Sequence, residues 1–226
     1  MDISIFNELE QGTQEWLEAR AGLPTASEIA CLLVDGKGRE DKLGAGAITY
    51  AYQVAAEVIL GRALGAVFEN EHTRRGHELE QEWIDNYAFM NDCEVDIVGF
   101  VRRNDIGLGY SPDGLVGEDG CTEVKSPEPA KMIRFLLDES FPKDYRPQCL
   151  AALLTTGRDW IDLIIGAEGL PLCVRRLSRT DEGVQEELEK LEERVKSFNI
   201  LVADIVAQVR AKGLSALEEP IAIAAE

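Results

Sequence analysis

The sequence has 226 residues, of which 45% are hydrophobic and 29% charged. These values are ordinary for a soluble globular protein, and this length is enough to bury one full core, so we predict a single domain over residues 1–226. No apolar run approaches the roughly 20 residues that span a bilayer, and the first residues lack a basic region followed by an apolar one, so we expect a cytoplasmic protein.

The formal net charge of −19 opposes diffuse binding to DNA, because non-specific affinity comes from cations that neutralise phosphates. Taken alone, it favours a partner other than nucleic acid. A DNA-binding protein of this charge would need a basic channel, or a closed ring that stays on DNA by topology. Basic residues do cluster locally, although each cluster could equally be ordinary surface. The clusters are Lys37/Arg39/Lys42, Arg74/Arg75, Arg102/Arg103, Lys131/Arg134 and Arg175/Arg176.

The five cysteines form no Cys-x-x-Cys pair, which argues against a zinc site or an iron–sulfur cluster. His72 and His77 are the only histidines, so a histidine-based metal site is also poorly supported. Any metal is therefore expected on carboxylates.

The N-terminal part predicts a short helix over residues 13–19, followed by Thr25-Ala-Ser-Glu28, which has the pattern of a capping box with Thr25 as N-cap. This places Ser27 at a helix N-terminus, where a phosphate can bind, although a plain cap is the simpler interpretation. The glycine-rich, charged residues 36–42 predict a flexible loop. A mostly buried helix is expected over residues 48–60.

A further helix is predicted over about residues 74–90. Leu79, Trp83, Ile84 and Tyr87 recur at helical spacing and should face the core. Glu80 lies next to this stripe. A solvent-facing position is the default for a glutamate, yet Glu80 could also point inward.

The remainder of the chain predicts a mixed α/β fold. A strand over residues 94–103 and a hairpin over 110–125 should form a three-stranded antiparallel sheet. Helices are predicted over 128–138 and 144–156, strands over 160–166 and 171–177, and one long amphipathic helix over 181–212. The long helix could pack on the body or make a subunit contact.

The hairpin carries the residues of chemical interest. Its turn is Gly117-Glu-Asp-Gly120, Asp113 lies on the first strand, and alternation places Glu123 and Lys125 on one face of the second. Two neighbouring carboxylates suit a hard divalent cation such as Mg²⁺, and the lysine could hold or deprotonate a metal-bound water. A surface salt bridge beside an Asp-Gly turn is the plain alternative.

Pro112-Asp113, nine residues and then Glu123-Val-Lys125 match the PD-(D/E)xK signature of metal-dependent nucleases. The chain from Trp16 to about Ile165 resembles the phage-type exonucleases of recombination, the lambda exonuclease family. Its short motifs occur in that family's order: Trp16-Leu-Glu-Ala-Arg20, Thr25-Ala-Ser-Glu28, Gly76-His-Glu-Leu-Glu80, Ser111-Pro-Asp-Gly114, Glu123-Val-Lys125 and Tyr145-Arg-Pro-Gln148.

The resemblance implies a core similar to type II restriction endonucleases and a Mg²⁺-dependent 5′→3′ exonuclease, with Mn²⁺ as a substitute metal. Such an enzyme degrades the 5′-phosphorylated strand of linear double-stranded DNA to mononucleotides and leaves 3′ single-stranded tails. The resemblance also implies a homotrimeric ring, a single-strand annealing protein as partner, and action in a phage's bacterial host. An endonuclease or repair nuclease, or a non-catalytic DNA-binding protein with a nuclease fold, are the alternatives.

By the same resemblance, Asp113, Glu123 and the carbonyl of Val124 would bind Mg²⁺. Glu80 would serve a second metal site.

The other expected roles are those of the water and of the DNA end. Lys125 would orient or deprotonate the attacking water, and Gln148 would help position it. Arg20, Ser27 and Ser111 would grip the terminal 5′-phosphate.

Overall fold

The computed structural model describes residues 1–38, 41–64 and 71–213, and only the backbone of residues 71–78. Its strands form two sheets. The first is antiparallel, in the order β1 (Ile3–Phe6), β2 (Phe100–Arg103), β3 (Leu108–Tyr110). The second has the order β4 (Gly114–Val116), β5 (Gly120–Lys125), β6 (Trp160–Ile165), β7 (Cys173–Ser178), in which β5 and β6 are parallel and the other pairs antiparallel.

The helices are α1 (Gln14–Arg20), a 3₁₀ helix (Ala26–Leu33), α2 (Ala45–Leu60), α3 (Glu71–Asn91), α4 (Pro129–Leu137), α5 (Arg146–Thr156) and α6 (Val184–Ala211). Within the described ranges, no helix is long and apolar enough to cross a membrane. The predicted helices are confirmed, including the long C-terminal one. Pro147 lies in the first turn of α5, where its missing N–H leaves no helical hydrogen bond unmade.

The second sheet lies between helices. Alternate residues of β6 divide between two apolar clusters, because successive strand side chains point to opposite faces. Leu163 belongs to the large cluster with α5 and α6, whereas Ile164 packs with Val124, Trp83 and Tyr87. The predicted inward face of α3 is therefore confirmed. The α6 stripe packs on the body of the chain against α2, α5 and the 3₁₀ helix.

The hairpin over 110–125 is confirmed in its second half, where Gly114 pairs with Thr122. The prediction that a 94–103 strand joins the hairpin in one sheet is wrong. The strand begins only at Phe100, and the tight turn after it returns the chain as β3, so β2 pairs with β3 and with the unpredicted β1. A single bridge, with Asp96 and Leu115 exchanging two 2.8 Å backbone hydrogen bonds, joins this segment to the hairpin.

The capping-box prediction is also wrong, although Thr25 does occupy the N-cap position. The helix is 3₁₀, so the Glu28 N–H donates to the Thr25 carbonyl at 3.1 Å and needs no side-chain acceptor. The Thr25 N–H donates to the Tyr50 hydroxyl at 3.1 Å, in place of the expected glutamate. The Thr25 hydroxyl instead lies 3.3 Å from that of Ser27.

The predicted flexible loop over residues 36–42 is held at its base, while residues 39 and 40 lie outside the described part. The Gly36 N–H donates to the Lys42 carbonyl at 2.9 Å. Buried Arg194 of α6 binds the Asp35 carboxylate and the Asp41 carbonyl. The two ends of the loop are therefore anchored to each other and to α6.

Phe198→Ala should lower the free energy of unfolding by about 3–5 kcal/mol, because it leaves a cavity in the core. Phe198 is fully buried, and its ring centre lies 5.2 Å from that of Tyr50. Ile200→Ala, at a 64% exposed position of the same helix, is the matched control. Urea unfolding of both variants tests the packing of α6, and equal losses would contradict it.

Candidate active site

The site is built around Glu123, a side chain only 3% exposed in the middle of β5. Its Oε1 accepts hydrogen bonds from Lys125 Nζ at 2.6 Å and from Gln148 Nε2 at 2.5 Å. Its Oε2 accepts one from the Tyr110 hydroxyl at 2.9 Å. Lys125 shares the strand face of Glu123 by alternation, whereas Gln148 comes from the first turn of α5 and Tyr110 from the end of β3.

Asp113 stands beside Glu123 because the hairpin register brings the start of β4 against the middle of β5. Its Oδ2 accepts the backbone N–H of Val124 at 2.5 Å. The preceding residue is also held, since Gln11 Nε2 donates to the Pro112 carbonyl at 2.8 Å. The structure thus brings together Asp113, Glu123, Lys125 and Gln148, as the sequence predicts.

The acids of this cluster repel one another. Burial raises the pKa of Asp113 well above its usual range, and the charges of Glu123 and Glu80 raise it further. Glu80 therefore acts electrostatically on the hairpin from α3. Burial opposes the charged form of Lys125, but Glu123 and Asp113 outweigh it and raise the pKa of that amine. The two acids therefore favour the cationic form of the lysine.

The donor set fits a divalent cation. Within the described part of the chain, no three acidic, histidine or cysteine side chains already form a metal cluster. Asp113 and Glu123 nevertheless offer the hard oxygen ligands that Mg²⁺ prefers, and a cation between them would remove the repulsion that raises the pKa of Asp113. The Val124 side chain packs in the α3 cluster, so only its main chain could contribute.

The three residues expected to bind a 5′-phosphate are linked through neighbouring groups. The Arg20 guanidinium lies 3.9 Å from the centre of the Trp16 ring, and Trp16 Nε1 donates to Ser111 Oγ at 2.9 Å. Ser27 is exposed in the first turn of the 3₁₀ helix. That helix starts beside Ser111, because the Gly109 N–H donates to the carbonyl of the residue before Thr25 at 3.0 Å.

The guanidinium of Arg20 is partly buried. Burial lowers the pKa of its guanidinium, only partly offset by Tyr50, Glu57 and Glu28. In the ranges that the structure describes, no carboxylate lies within 4.0 Å of it, whereas Arg103 and Arg176 each form an ion pair. Glu57 and Glu28 are near enough to act on Arg20 but form no ion pair within 4.0 Å, so its N–H donors could bind an anion from outside.

Two contributors were not identified as site residues from the sequence. Tyr110 directly precedes the Ser-Pro-Asp motif and orients Glu123, and burial followed by the charge of Glu123 raises the pKa of its phenol. In the sequence, Trp16 is the first residue of the motif Trp16-Leu-Glu-Ala-Arg20, which assigns no role to it. The contact of Trp16 joins it to Ser111, 95 positions away, so no local pattern signals it. Tyr110, in contrast, is 13 residues from Glu123 and lies at the start of the predicted hairpin, which could have indicated its position.

Residues 15–159 match the model of the YqaJ-like viral recombinase domain. The chain belongs to this family. The match includes every residue that the sequence predicts for the site. No curated protein sequence matches the chain significantly.

Solved exonucleases share the fold. The alkaline exonuclease LHK-Exo from Laribacter hongkongensis is 26% identical with a TM-score of 0.74, over 88% of this chain and 97% of that one. The structure of LHK-Exo in complex with dAMP is 27% identical with a TM-score of 0.73, again over 88% of this chain and 97% of that one. A phage-related exonuclease from Haemophilus somnus 129PT has a TM-score of 0.62 at 14% identity, over 83% of this chain and 96% of that one, and supports the fold alone. The predicted mixed α/β nuclease fold and family are confirmed.

Asp113→Asn should raise the melting temperature in EDTA at pH 8, because it removes a carboxylate that burial and neighbouring acids disfavour. A raised pKa means that the folded state holds the Asp113 proton more tightly than the unfolded state. The resulting loss of stability sets in above the unfolded pKa of about 4 and grows until the folded pKa is passed. The gain should therefore be larger at pH 8 than at pH 5.

Glu118→Gln, in the exposed turn of the same hairpin, is the control and should change little at either pH. A variant Asp113→Asn that melts below the parent protein at pH 8 would show that repulsion does not dominate at this position.

Proposed function

We propose that this protein is a Mg²⁺-dependent 5′→3′ exonuclease that degrades the 5′-phosphorylated strand of linear double-stranded DNA. The family and the structural neighbours indicate a nuclease that acts on DNA. The observation that carries the finer proposal is the position of the acid–lysine cluster. Asp113 of this cluster comes two residues after Ser111 in the sequence. Trp16 contacts both Ser111 and Arg20.

Asp113, Glu123 and the Val124 carbonyl would hold the metal, and Glu80 would serve a second ion. Bound Mg²⁺, or Mn²⁺ in its place, would neutralise charge on the attacked phosphate and make water a better nucleophile. The protein's own contribution is to keep these donors in place. Tyr110 and Gln148 hold Glu123 from two sides, and the Val124 N–H holds Asp113.

Lys125 and Gln148 donate to the same oxygen of Glu123, so both side chains lie beside the pair Asp113 and Glu123. Lys125 would orient the attacking water as a cationic donor. To take the proton of that water it would first have to lose its own, which a nearby bound cation would favour because like charges disfavour the ammonium form. Gln148 would accept a hydrogen bond from that water or donate one to it, and so would help orient the water. Proton transfer in such a position requires groups within hydrogen-bond reach of the water.

Arg20, Ser27 and Ser111 would bind the terminal 5′-phosphate. A guanidinium and two hydroxyl groups match a dianion well. With the end held beside the acids, cleavage falls near the terminus and yields mononucleotides. The dAMP bound to LHK-Exo is a compound of this class.

The charge of −19 requires another means of retention on DNA. A homotrimeric ring around the duplex would supply it by topology rather than by attraction. The remaining 3′ tail would be the substrate of a single-strand annealing protein, and the setting would be the cytoplasm of a phage's bacterial host.

Asp113→Asn should reduce Mg²⁺-dependent digestion of linear duplex by at least about a hundredfold, since one anionic ligand is lost. The variant is expected to be more stable in EDTA, so misfolding would not explain the loss. Glu118→Gln should digest at the parent rate. The assay measures nucleotide release with and without Mg²⁺, and undiminished release by Asp113→Asn would place the reaction elsewhere.

Arg20→Ala should lower the ratio of the digestion rates of 5′-phosphorylated and 5′-hydroxylated duplex by roughly 10- to 100-fold, the range expected for lost hydrogen bonds to a charged group. Arg134→Ala removes the same charge at an exposed position of α4 and should leave the ratio unchanged. Equal rates on both ends in the parent protein would contradict end recognition and favour an endonuclease or repair nuclease.

A further inference from the structure

We propose that Trp16 is the positioning residue that sets the preference for a 5′-phosphate, because one indole ring orients both Arg20 and Ser111. This inference rests on the proposed function and deepens it. Arg20 and Ser111 are 91 positions apart in the sequence, and the Trp16 side chain contacts both.

The face of the ring supports Arg20. The guanidinium carbon lies 3.9 Å from the ring centre, a distance at which cation–π attraction and stacking are effective. Among the described residues, no carboxylate within 4.0 Å competes for the guanidinium. Its edge donors are therefore left for a ligand, while the flat ring restricts its tilt.

The edge of the ring sets the direction of the Ser111 hydroxyl. An indole N–H can only donate, so Ser111 Oγ is the acceptor in the 2.9 Å contact with Trp16 Nε1. The hydroxyl proton of Ser111 must then point to another group. A phosphate, whose exposed oxygens are strong acceptors, satisfies such a donor better than a 5′-hydroxyl does.

Trp16 is itself held by two further hydrogen bonds, and its segment is fixed by a third. Its backbone N–H donates to the Thr13 hydroxyl at 3.3 Å, which caps α1. Its indole N–H is shared with the Gly99 carbonyl at 3.2 Å, just before β2. Gln11, five residues earlier, binds the Pro112 carbonyl next to Asp113. The segment from Gln11 to Arg20 therefore connects the phosphate pocket to the acid pair.

Trp16→Phe keeps an aromatic face under Arg20 and removes the N–H. The rates on 5′-phosphorylated and 5′-hydroxylated duplex should be measured with the same preparation, so that any loss of folded enzyme cancels in their ratio. The ratio should fall about five- to tenfold, the size expected for one hydrogen bond. Trp160→Phe is the matched control, since its ring lies 3.7 Å from the Arg176 guanidinium, and it should leave the ratio unchanged.

A double-variant cycle tests whether Trp16 acts through Ser111. Once Ser111→Ala is present, adding Trp16→Phe should lower the ratio no further, because the shared hydrogen bond is already lost. A Trp16→Phe enzyme that retains the parent ratio, or slows equally on both ends, would overturn the inference while the proposed function stands. A parent protein that does not discriminate between the ends would instead overturn the proposed function.

Discussion

A buried carboxylate with three hydrogen-bond donors holds the site together. Glu123 is buried, and a carboxyl group is tolerated there because Lys125, Gln148 and Tyr110 satisfy its oxygens. Removing a partner from a buried charge typically costs several kcal/mol, since the remaining charge is left uncompensated. The three donors come from β5, α5 and β3. The site can therefore form only where both sheets and the intervening helix are packed correctly.

The parts of the site that the sequence predicts are the local ones. Asp113, Glu123 and Lys125 belong to one hairpin. The glycine-rich turn indicates the hairpin, and the alternation of side chains along a strand predicts which face each residue occupies. The split into two sheets does not follow from local pattern, because β1 comes from the far N-terminus and nothing near Phe100 in the sequence indicates that pairing. The capping box failed for a related reason. Tyr50, 25 residues away, takes the backbone N–H of Thr25.

The large negative charge is easier to interpret once each arginine is considered with its partners. Arg103 bonds to Asp105 and Glu192, Arg176 to Asp162, and Arg194 to Asp35. These cations balance acids within the protein. Two of them belong to clusters that looked in sequence like possible DNA contacts. The sequence does not distinguish these paired arginines from Arg20. The structure does, because Arg20 stacks on the ring of Trp16.

Asp113 and Arg20 share one physical property: each carries a charge that the folded protein alone stabilises poorly. Burial and neighbouring acids disfavour the Asp113 carboxylate, and burial disfavours the Arg20 guanidinium. A cation at the first and an anion at the second would each offset that cost, and binding that favours the folded state adds to its stability. The two opposite charges are linked through residues 11–20 and the Ser-Pro-Asp motif. In the function proposed above, a metal ion and a phosphorylated DNA end would be these two ligands.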